Sequence, residues 1–429
     1  MSSGAEQQKV VTRKNHRGFG WWFKRVALVV VIIAIVAIGL NYERIKRLVA
    51  VNSLFEDDKI AYNFTHMDEL FHSKTITPKP GQKRHTWEVV PSDKKLPETF
   101  TFEGESFAVD TFLEETRTTA LLVIKEGKIV YESYPLEDQQ GGGQDARRIS
   151  WSMAKSFLSA VFGVAYKDGL IKSLDDAVTD YVPELKGTAY DGVPIRHVLN
   201  MASGVKFNED YLDFNSDINK MGRVLAIGGS MDEFAASLKE SERESGKQRH
   251  YVSIDTHVLG MVLRAATGKP ARQYLNEKLW SKMGVEHEIY YVTDEEGIDF
   301  VLGGLNMRTR DYARFGQLFL QDGYWLGEPV IPKDWVREST RDSAPASKDD
   351  GMGYAYQWWV PKRANDEFFA IGVYGQYIYI NRVANMVVVK NSAHTGFRSD
   401  GHQGTVIEDK SIELFRSIVK SYAGEDKAP

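Results

Sequence analysis

The sequence predicts an α/β fold of the α+β kind: a sheet whose N- and C-terminal strands meet, a mostly helical lobe inserted between them, and one N-terminal transmembrane helix. Three observations predict it. Strand-like runs rich in Val, Ile, Leu and Tyr stand near residues 118–134 and return between 354 and 392, with helical periodicity between them. That order brings the first and last strands into one sheet. Fifteen uncharged apolar residues, Val26 to Leu40, precede all of this. Finally, 429 residues that are 42% hydrophobic and 26% charged suffice for one large core or two lobes.

Composition excludes several chemistries. The net charge is −5 and the basic residues are scattered, so nucleic acid is not an expected partner. The chain has no cysteine, which removes disulfides, thiolate metal sites and cysteine nucleophiles together. Its ten histidines show no His-Glu-x-x-His or paired zinc spacing. No phosphate loop or dinucleotide fingerprint is present either, since Ile227-Gly228-Gly229 lacks a strand-turn-helix setting. Neither a metal nor a cofactor is expected.

The first element is the apolar run, preceded by Trp21, Trp22 and Phe23 and by the cations Arg13, Lys14, Arg17, Lys24 and Arg25. A bilayer needs about 20 residues, but the aromatic group suits the interface and Lys24 and Arg25 can snorkel. Residues 21–42 therefore read as a membrane anchor and residues 1–20 as a cytoplasmic tail. Positive charge is heavier before the span, although Arg44, Lys46 and Arg47 follow it. The bulk of the chain is then extracytoplasmic, periplasmic in a Gram-negative cell. A cleaved signal peptide is the competing reading, with a weak "AIG" as its only small-residue site. A soluble core helix fits poorly, because the run is apolar on every face.

Residues 43–104 read as a juxtamembrane and connecting segment, because "TPKPGQKRH" and "VPSDKKLPE" bring proline, glycine and clustered charge. The globular domain is expected over 105–425. It opens on "TTALLVIKEGKIVYESY", two strands turning at "KEGK". After the loop "GGGQDARR", the stretch "SMAKSFLSAVFGVAYKDGLI" places Phe157, Ala160, Val161, Val164 and Ala165 at helical spacing and stops at Asp168-Gly169. Helical segments and loops fill residues 174–283. Strands return in "YAYQWWV", "FFAIGV", "GQYIYIN" and "NMVVVKNS", and "SIELFRSIVKSY" closes the chain as an amphipathic helix. Clefts between two such lobes are where small-molecule sites form.

The chemistry is sought in a serine with a lysine three residues on. That spacing is common, roughly one match per 250 positions at average composition, and this chain has four: Ser92/Lys95, Ser152/Lys155, Ser203/Lys206 and Ser417/Lys420. Ser92 follows Pro91 in the connecting stretch, and Gly204 interrupts any helix that would align Ser203 with Lys206. Ser417 and Lys420 lie inside the last helix near its polar surface, where a solvated pair is expected. Only Ser152 opens a long helix with an apolar face. Lys155 is nearly one turn on and projects from the same side. The unpaired NH groups of a helix start favour a developing oxyanion and disfavour a second cation. A desolvated lysine there should titrate below its usual value of about 10.4 and accept a proton from the nucleophile Ser152.

With these residues, "SWSMAKSFLSAVFGVAYKDGLIKSLDDAVTDYVPEL" resembles the first motif region of the serine β-lactamase and penicillin-binding-protein superfamily, in its class C and esterase branch. "IRHVLNMASGVKFNEDY" and "GGLNMRTRDYARFGQLFLQDG" resemble that branch's 6-aminohexanoate-oligomer hydrolases, and the likeness spans roughly residues 105 to 422. The resemblance implies an antiparallel sheet flanked by helices, and a serine hydrolase acting through an acyl-enzyme on a small molecule or short oligomer. The branch's second motif, Tyr-x-Asn or Tyr-x-Ser, matches Tyr251-Val252-Ser253. Tyr251 would then share the base role with Lys155, which favours its phenolate, and would relay the proton to the leaving group. A core tyrosine with a satisfied hydroxyl is the alternative, with Ser253 a helix cap or a substrate contact.

The third motif, Lys-Thr-Gly or His-x-Gly on a strand beside the cleft, falls at "GVYGQYIYI". Aligned on Gly375, the cationic position holds Val373, so the clamp that the resemblance implies for a substrate carboxylate is missing. Ester or amide hydrolysis is favoured over β-lactam or D-alanyl-peptide chemistry. Gly375 would let a substrate lie close to the strand, and the Gln376 NH would join that of Ser152 as an oxyanion hole. An edge strand with a glycine needs no such role. Tyr211 in "NEDY" matches a pocket tyrosine of the oligomer hydrolases or packs its own loop, and Tyr374 stands where the motif carries a polar residue. His394, Arg398, Asp400 and His402 form a polar group read as a solvated loop, from which Arg398 is the candidate for the missing cation.

Overall fold

The computed structural model describes residues 19–423, apart from 83, 91–94, 137–140, 286, 349–350, 362–365 and 399–402. The tail 1–18 with Arg13, Lys14 and Arg17, and likewise Ser92, Asp400 and His402, lie outside the described residues. The chain divides into two units, Met1–Val49 and Ala50–Pro429.

The first unit is built on helix α1 (Phe19–Leu40). Its segment Trp21–Leu40 is long and apolar enough to cross a membrane, and none of it is buried in protein. Arg25 turns back so that its guanidinium stands 3.7 Å from the Trp21 ring centroid, a pairing suited to an interface. A membrane anchor and a signal segment both have this form.

In the second unit, the hairpin β1 (Thr118–Lys125) and β2 (Lys128–Ser133) joins five late strands: β3 (Gly353–Ala355), β4 (Trp358–Val360), β5 (Glu367–Gly372), β6 (Gln376–Asn381) and β7 (Met386–Ser392). The spatial order is β3-β4-β5-β6-β7-β1-β2, antiparallel throughout. The first and last strands meet as expected, Val388 opposite Val123. Both faces are covered, which is why β7 opens on the apolar run Met386 to Val389. Val387 and Val389 join Ile378 and Ile380 in one core, while Met386 and Val388 join Leu121, Val123 and Tyr377 in the other.

Helix α2 (Met153–Lys167) and helix α3 (Ser253–Thr267) pack together in the first core, with α4 (Thr309–Leu320) against the sheet. The second core is closed by α5 (Gln403–Ala423) through Leu414, Phe415, Ile418 and Val419. Shorter helices, Ile195–Leu199, Asp217–Ile227, Met231–Ser237 and Ala271–Lys278, build the inserted lobe around α3.

Two features depart from the sequence reading. A second sheet orders Ser73–Ile76, Ile289–Val292, Leu305–Met307 and Arg148–Ile149, with strands of two to four residues that are too short to show a period of two. The stretch read as connecting contributes to the core: Leu54, Ile60, Phe64, Met67, Leu70 and Trp87 are all buried in the larger cluster. Proline and charge marked its turns, while its apolar residues, spread between them, gave no periodic signal.

Candidate active site

Ser152 occupies the N-cap of α2 in a helical conformation, and its hydroxyl makes no capping bond. A serine there ordinarily spends its oxygen on a backbone NH two or three residues on. Here Oγ takes a hydrogen bond from Lys155 Nζ at 3.0 Å instead. The preceding residue, Trp151, is held at φ 42°, an uncommon conformation for a bulky side chain. Its ring lies 6.1 Å from Phe55 and 5.5 Å from Phe64, and the Phe64 carbonyl accepts the NH of Ile149. The segment around Phe55 and Phe64 thus forms the bed of the nucleophile turn.

Lys155 is 2% exposed. Nζ reaches three oxygens, Ser152 Oγ at 3.0 Å, Ser253 Oγ at 3.2 Å and the Leu302 carbonyl at 2.9 Å. Burial pulls its amine down to about 7, against the opposing pull of the Glu209 carboxylate. A lysine poised there can accept a proton near neutral pH.

Among the described residues, the other Ser-x-x-Lys matches offer no such site. Ser203 is buried with its Oγ on the Val205 NH, Lys206 is exposed and paired with Glu240, and Lys420 is exposed. Lys95 is exposed, and its serine partner is not described.

Tyr251 and Ser253 reach the site from the start of α3. Tyr251 stacks on Trp359, centroids 5.4 Å apart, and Lys155 Nζ stands 5.4 Å from the centre of its ring. Burial and then the Glu209 charge push its phenol well above its usual range. That direction is opposite to the phenolate expected beside a lysine, because burial and the Glu209 charge dominate it. A phenol held neutral there can donate a proton. Ser253 is the first residue of α3, preceded by Val252 at the cap position, and its hydroxyl connects Lys155 to a residue the motifs did not flag.

That residue is Glu209. Its carboxylate accepts from Ser253 Oγ, from the Ser253 NH at 2.8 Å and from the Tyr211 hydroxyl at 3.0 Å. Burial pushes Glu209 up, and the Lys155 charge and the Ser253 bonds pull it back. Tyr211 lines the cleft, edge-on to Phe397 with centroids 6.0 Å apart.

The third-motif segment is also rearranged relative to expectation. Gly372, at the end of β5, is the glycine that meets the nucleophile: a Cβ there would stand 2.4 Å from Ser150 O and 3.1 Å from Ser152 N. Gly375, at φ 86°, closes the hairpin, and a Cβ on it would press on Ser392 at 2.9 Å, so its close approach is to β7 rather than to a substrate. Gln376 stands opposite Gly372 on β6 and turns its side chain into the sheet, donating to the carbonyls of Tyr374 and Ser392. The structure brings the Gly372 backbone beside Ser152, and Val373 lines the cleft. Tyr374 is 2% exposed, packed on Phe55 with centroids 4.9 Å apart, behind the cleft wall rather than on it. The Arg398 side chain lies outside the described residues.

These groups open into a cavity of about 510 Å³, walled by Ser152, Tyr251, Trp359 and Val373 and, on the α5 side, by Glu408, Asp409 and Glu413. Among the described residues lining it the single cation is Arg416, which bonds Glu367 at 3.0 Å and Glu413 at 2.7 Å. Burial, then Glu103 and Glu413, hold the Asp409 carboxyl above its usual range. Among the described residues no group of three His, Asp or Glu side chains is arranged to hold a metal.

A second buried lysine lies behind the hairpin. Lys390 on β7 bonds Ser392 Oγ at 2.5 Å, and burial alone pulls its amine down to about 7. The unfolded chain binds this proton up to about 10.4 while the folded chain releases it near 7, so the lysine destabilises the fold most at pH 7 and below. Each unit of depression is worth about 1.4 kcal/mol. Lys390→Met is expected to melt several degrees higher at pH 7, with the gain shrinking as pH rises towards 10, in thermal melts across that range.

The Beta-lactamase family profile matches residues 108–409. A 6-aminohexanoate-dimer hydrolase of Paenarthrobacter ureafaciens is 30% identical over 296 residues, 66% of this chain and 74% of that protein. A solved Bacillus anthracis structure, provisionally named a 6-aminohexanoate-dimer hydrolase, superposes with a TM-score of 0.75 at 23% identity, covering 86% of this chain and 95% of that one. A D-stereospecific amidohydrolase from Streptomyces gives a TM-score of 0.53 at 17% identity, covering 71% and 93%.

Proposed function

The chain belongs to the Beta-lactamase family, and from that premise we propose that it is a serine hydrolase cleaving an ester or amide bond through an acyl-enzyme on Ser152. The observation that carries this is the Lys155 Nζ held 3.0 Å from a Ser152 hydroxyl spared from helix capping. Neutral Lys155 takes the Ser152 proton as Oγ bonds to the substrate carbonyl carbon. The resulting oxyanion is held by the NH of Ser152 and by the backbone at Gly372 and Val373. Tyr251 gives its proton to the leaving amine or alkoxide and is reprotonated by Lys155, so the bond breaks with charge balanced. Water then attacks the acyl carbon as Lys155 accepts its proton through Tyr251, and Lys155 returns a proton to Ser152 Oγ as the acyl C–O bond breaks, so the acid leaves with Ser152 and Lys155 both restored.

The cleft chemistry points to a short linear amide or ester with a basic end. An ammonium group reaching Asp409 and Glu413 would be favoured, while a carboxylate would find Val373 where a clamp would stand and Arg416 already engaged. The Paenarthrobacter relative is named a 6-aminohexanoate-dimer hydrolase, and the amide bond and amine of such a dimer fit that choice while its carboxylate does not. We also propose that α1 is retained as an anchor, with the second unit extracytoplasmic.

One experiment tests both. Carbonate-washed membranes carrying the full chain are expected to hydrolyse p-nitrophenyl esters and amine-ended linear amides, with an initial burst, and to leave a chromogenic cephalosporin largely intact. Stable labelling by a fluorescent penicillin without ester turnover would replace this reading with a penicillin-binding peptidase. Activity released into the wash on a chain lacking residues 1–40 would remove the anchor.

A further inference from the structure

The orientation of the Lys155 lone pair is not fixed by Ser152, since a hydroxyl both donates and accepts. It has to be fixed from the other side. Glu209 supplies the only end of the chain with a definite sense. As a carboxylate it can only accept, and the Ser253 hydroxyl donates to its Oε1. With its proton spent there, Ser253 Oγ can meet Lys155 Nζ at 3.2 Å only as an acceptor. The Leu302 carbonyl, 2.9 Å away, is an acceptor by nature. A neutral amine has two hydrogens and one lone pair, so with Ser253 and Leu302 taking the hydrogens the lone pair is left for the third neighbour, Ser152 Oγ at 3.0 Å.

We propose that Glu209 is a positioning residue that, through Ser253, aims the Lys155 lone pair at the Ser152 hydroxyl. This rests on Ser152 as nucleophile and Lys155 as base. The carboxylate is held by the Ser253 NH and the Tyr211 hydroxyl as well, so its two oxygens cannot exchange roles without losing bonds. The chain Glu209, Ser253, Lys155, Ser152 thus has the logic of a base oriented by a third group, with glutamate acting through a serine.

The same carboxylate opposes burial in setting the Lys155 proton affinity. Other ionisable groups face it as well: Tyr211 on its own loop, Tyr251 and Asp255 from the start of α3, and Lys155 from α2. Of these Lys155 is the cation, so removing the Glu209 charge leaves its ammonium form unsupported. Its folded pKa then falls, and the pH below which the base is protonated moves down.

The test uses the full chain with a p-nitrophenyl ester. In Glu209→Gln the side-chain amide can donate to Ser253 as well as accept, so the sense of the chain is lost with the charge. The expected result is a kcat at least tenfold lower with KM little changed, and an acid limb of kcat/KM displaced downward by about one pH unit. Glu209→Asp should restore the limb with part of the rate. Ser253→Ala keeps the charge and breaks the chain, so it should lose rate with a smaller displacement. It also serves if Glu209→Gln does not fold. A limb that stays in place in Glu209→Gln, or an undiminished kcat in Ser253→Ala, overturns the proposal. Labelling of Ser152 by an active-site phosphonate in the unaltered protein separates the two levels. Without it the nucleophile reading fails, whereas labelling that is equally fast and unshifted in pH for Glu209→Gln removes the role of Glu209 alone.

Discussion

Ser152→Ala is expected to lose turnover of an activated ester by about four to six orders of magnitude, along with the pre-steady-state burst and phosphonate labelling. The size follows from what the hydroxyl does. Without Oγ no acyl-enzyme forms, and the residual rate comes from substrate binding and the oxyanion donors alone. The structure also argues that this loss will not be a folding defect. The hydroxyl makes no capping bond, and Lys155 keeps Ser253 Oγ and the Leu302 carbonyl as partners when it is gone. The melting temperature should therefore change by only a degree or two. Ser417→Ala, which alters a serine at the same spacing from a lysine, should leave turnover as it was. Retained burst kinetics in Ser152→Ala would move the nucleophile elsewhere and, with it, the whole assignment.

The parts of this site legible in the sequence were those with a local, periodic signature. Ser152 stood out among four pairs because a helix with an apolar face starts at that residue, and the structure places that helix at Met153–Lys167. Tyr251 and Ser253 came from a short motif whose spacing survives in one dimension. Glu209 gave no such signal. In "NEDY" it reads as one more acid in a polar loop, and only the fold shows that the loop turns it inward to Ser253 and Tyr211. Its place two residues before Tyr211 was the one available hint.

The two glycines of "GVYG" show the same limit more sharply. Sequence could say that a glycine borders the cleft, but which one presses on the nucleophile turn depends on where the hairpin bends. Tyr374 and Gly375, both at positive φ, put the bend after Gly372. The early segment was misread for a related reason: Leu54, Phe64 and Trp87 are buried by contacts distant in sequence, which leave no period behind.

Lys155→Met is the second substitution expected to have a large effect. The unaltered enzyme should show kcat/KM rising with pH through about 7, because only the neutral amine accepts the Ser152 proton and the ammonium form dominates below that value. The variant should lose that limb and two to four orders of magnitude in rate, the usual worth of a general base. Its stability carries a second signature. Methionine fills the site but leaves Glu209 buried without its cation, so the carboxyl, already pushed up by burial, rises further. A folded pKa raised above the unfolded value gives stability that is complete at low pH and lost as pH climbs, because the unfolded chain sheds the proton first. Lys155→Met should therefore hold its melting temperature near pH 5 and fall behind the unaltered protein by pH 8. Adding Glu209→Gln should abolish that pH-dependent loss while restoring no activity. A pH-independent difference in melting temperature would mean that the carboxylate and the lysine do not share their charge, and would remove the electrostatic basis for placing the base at Lys155.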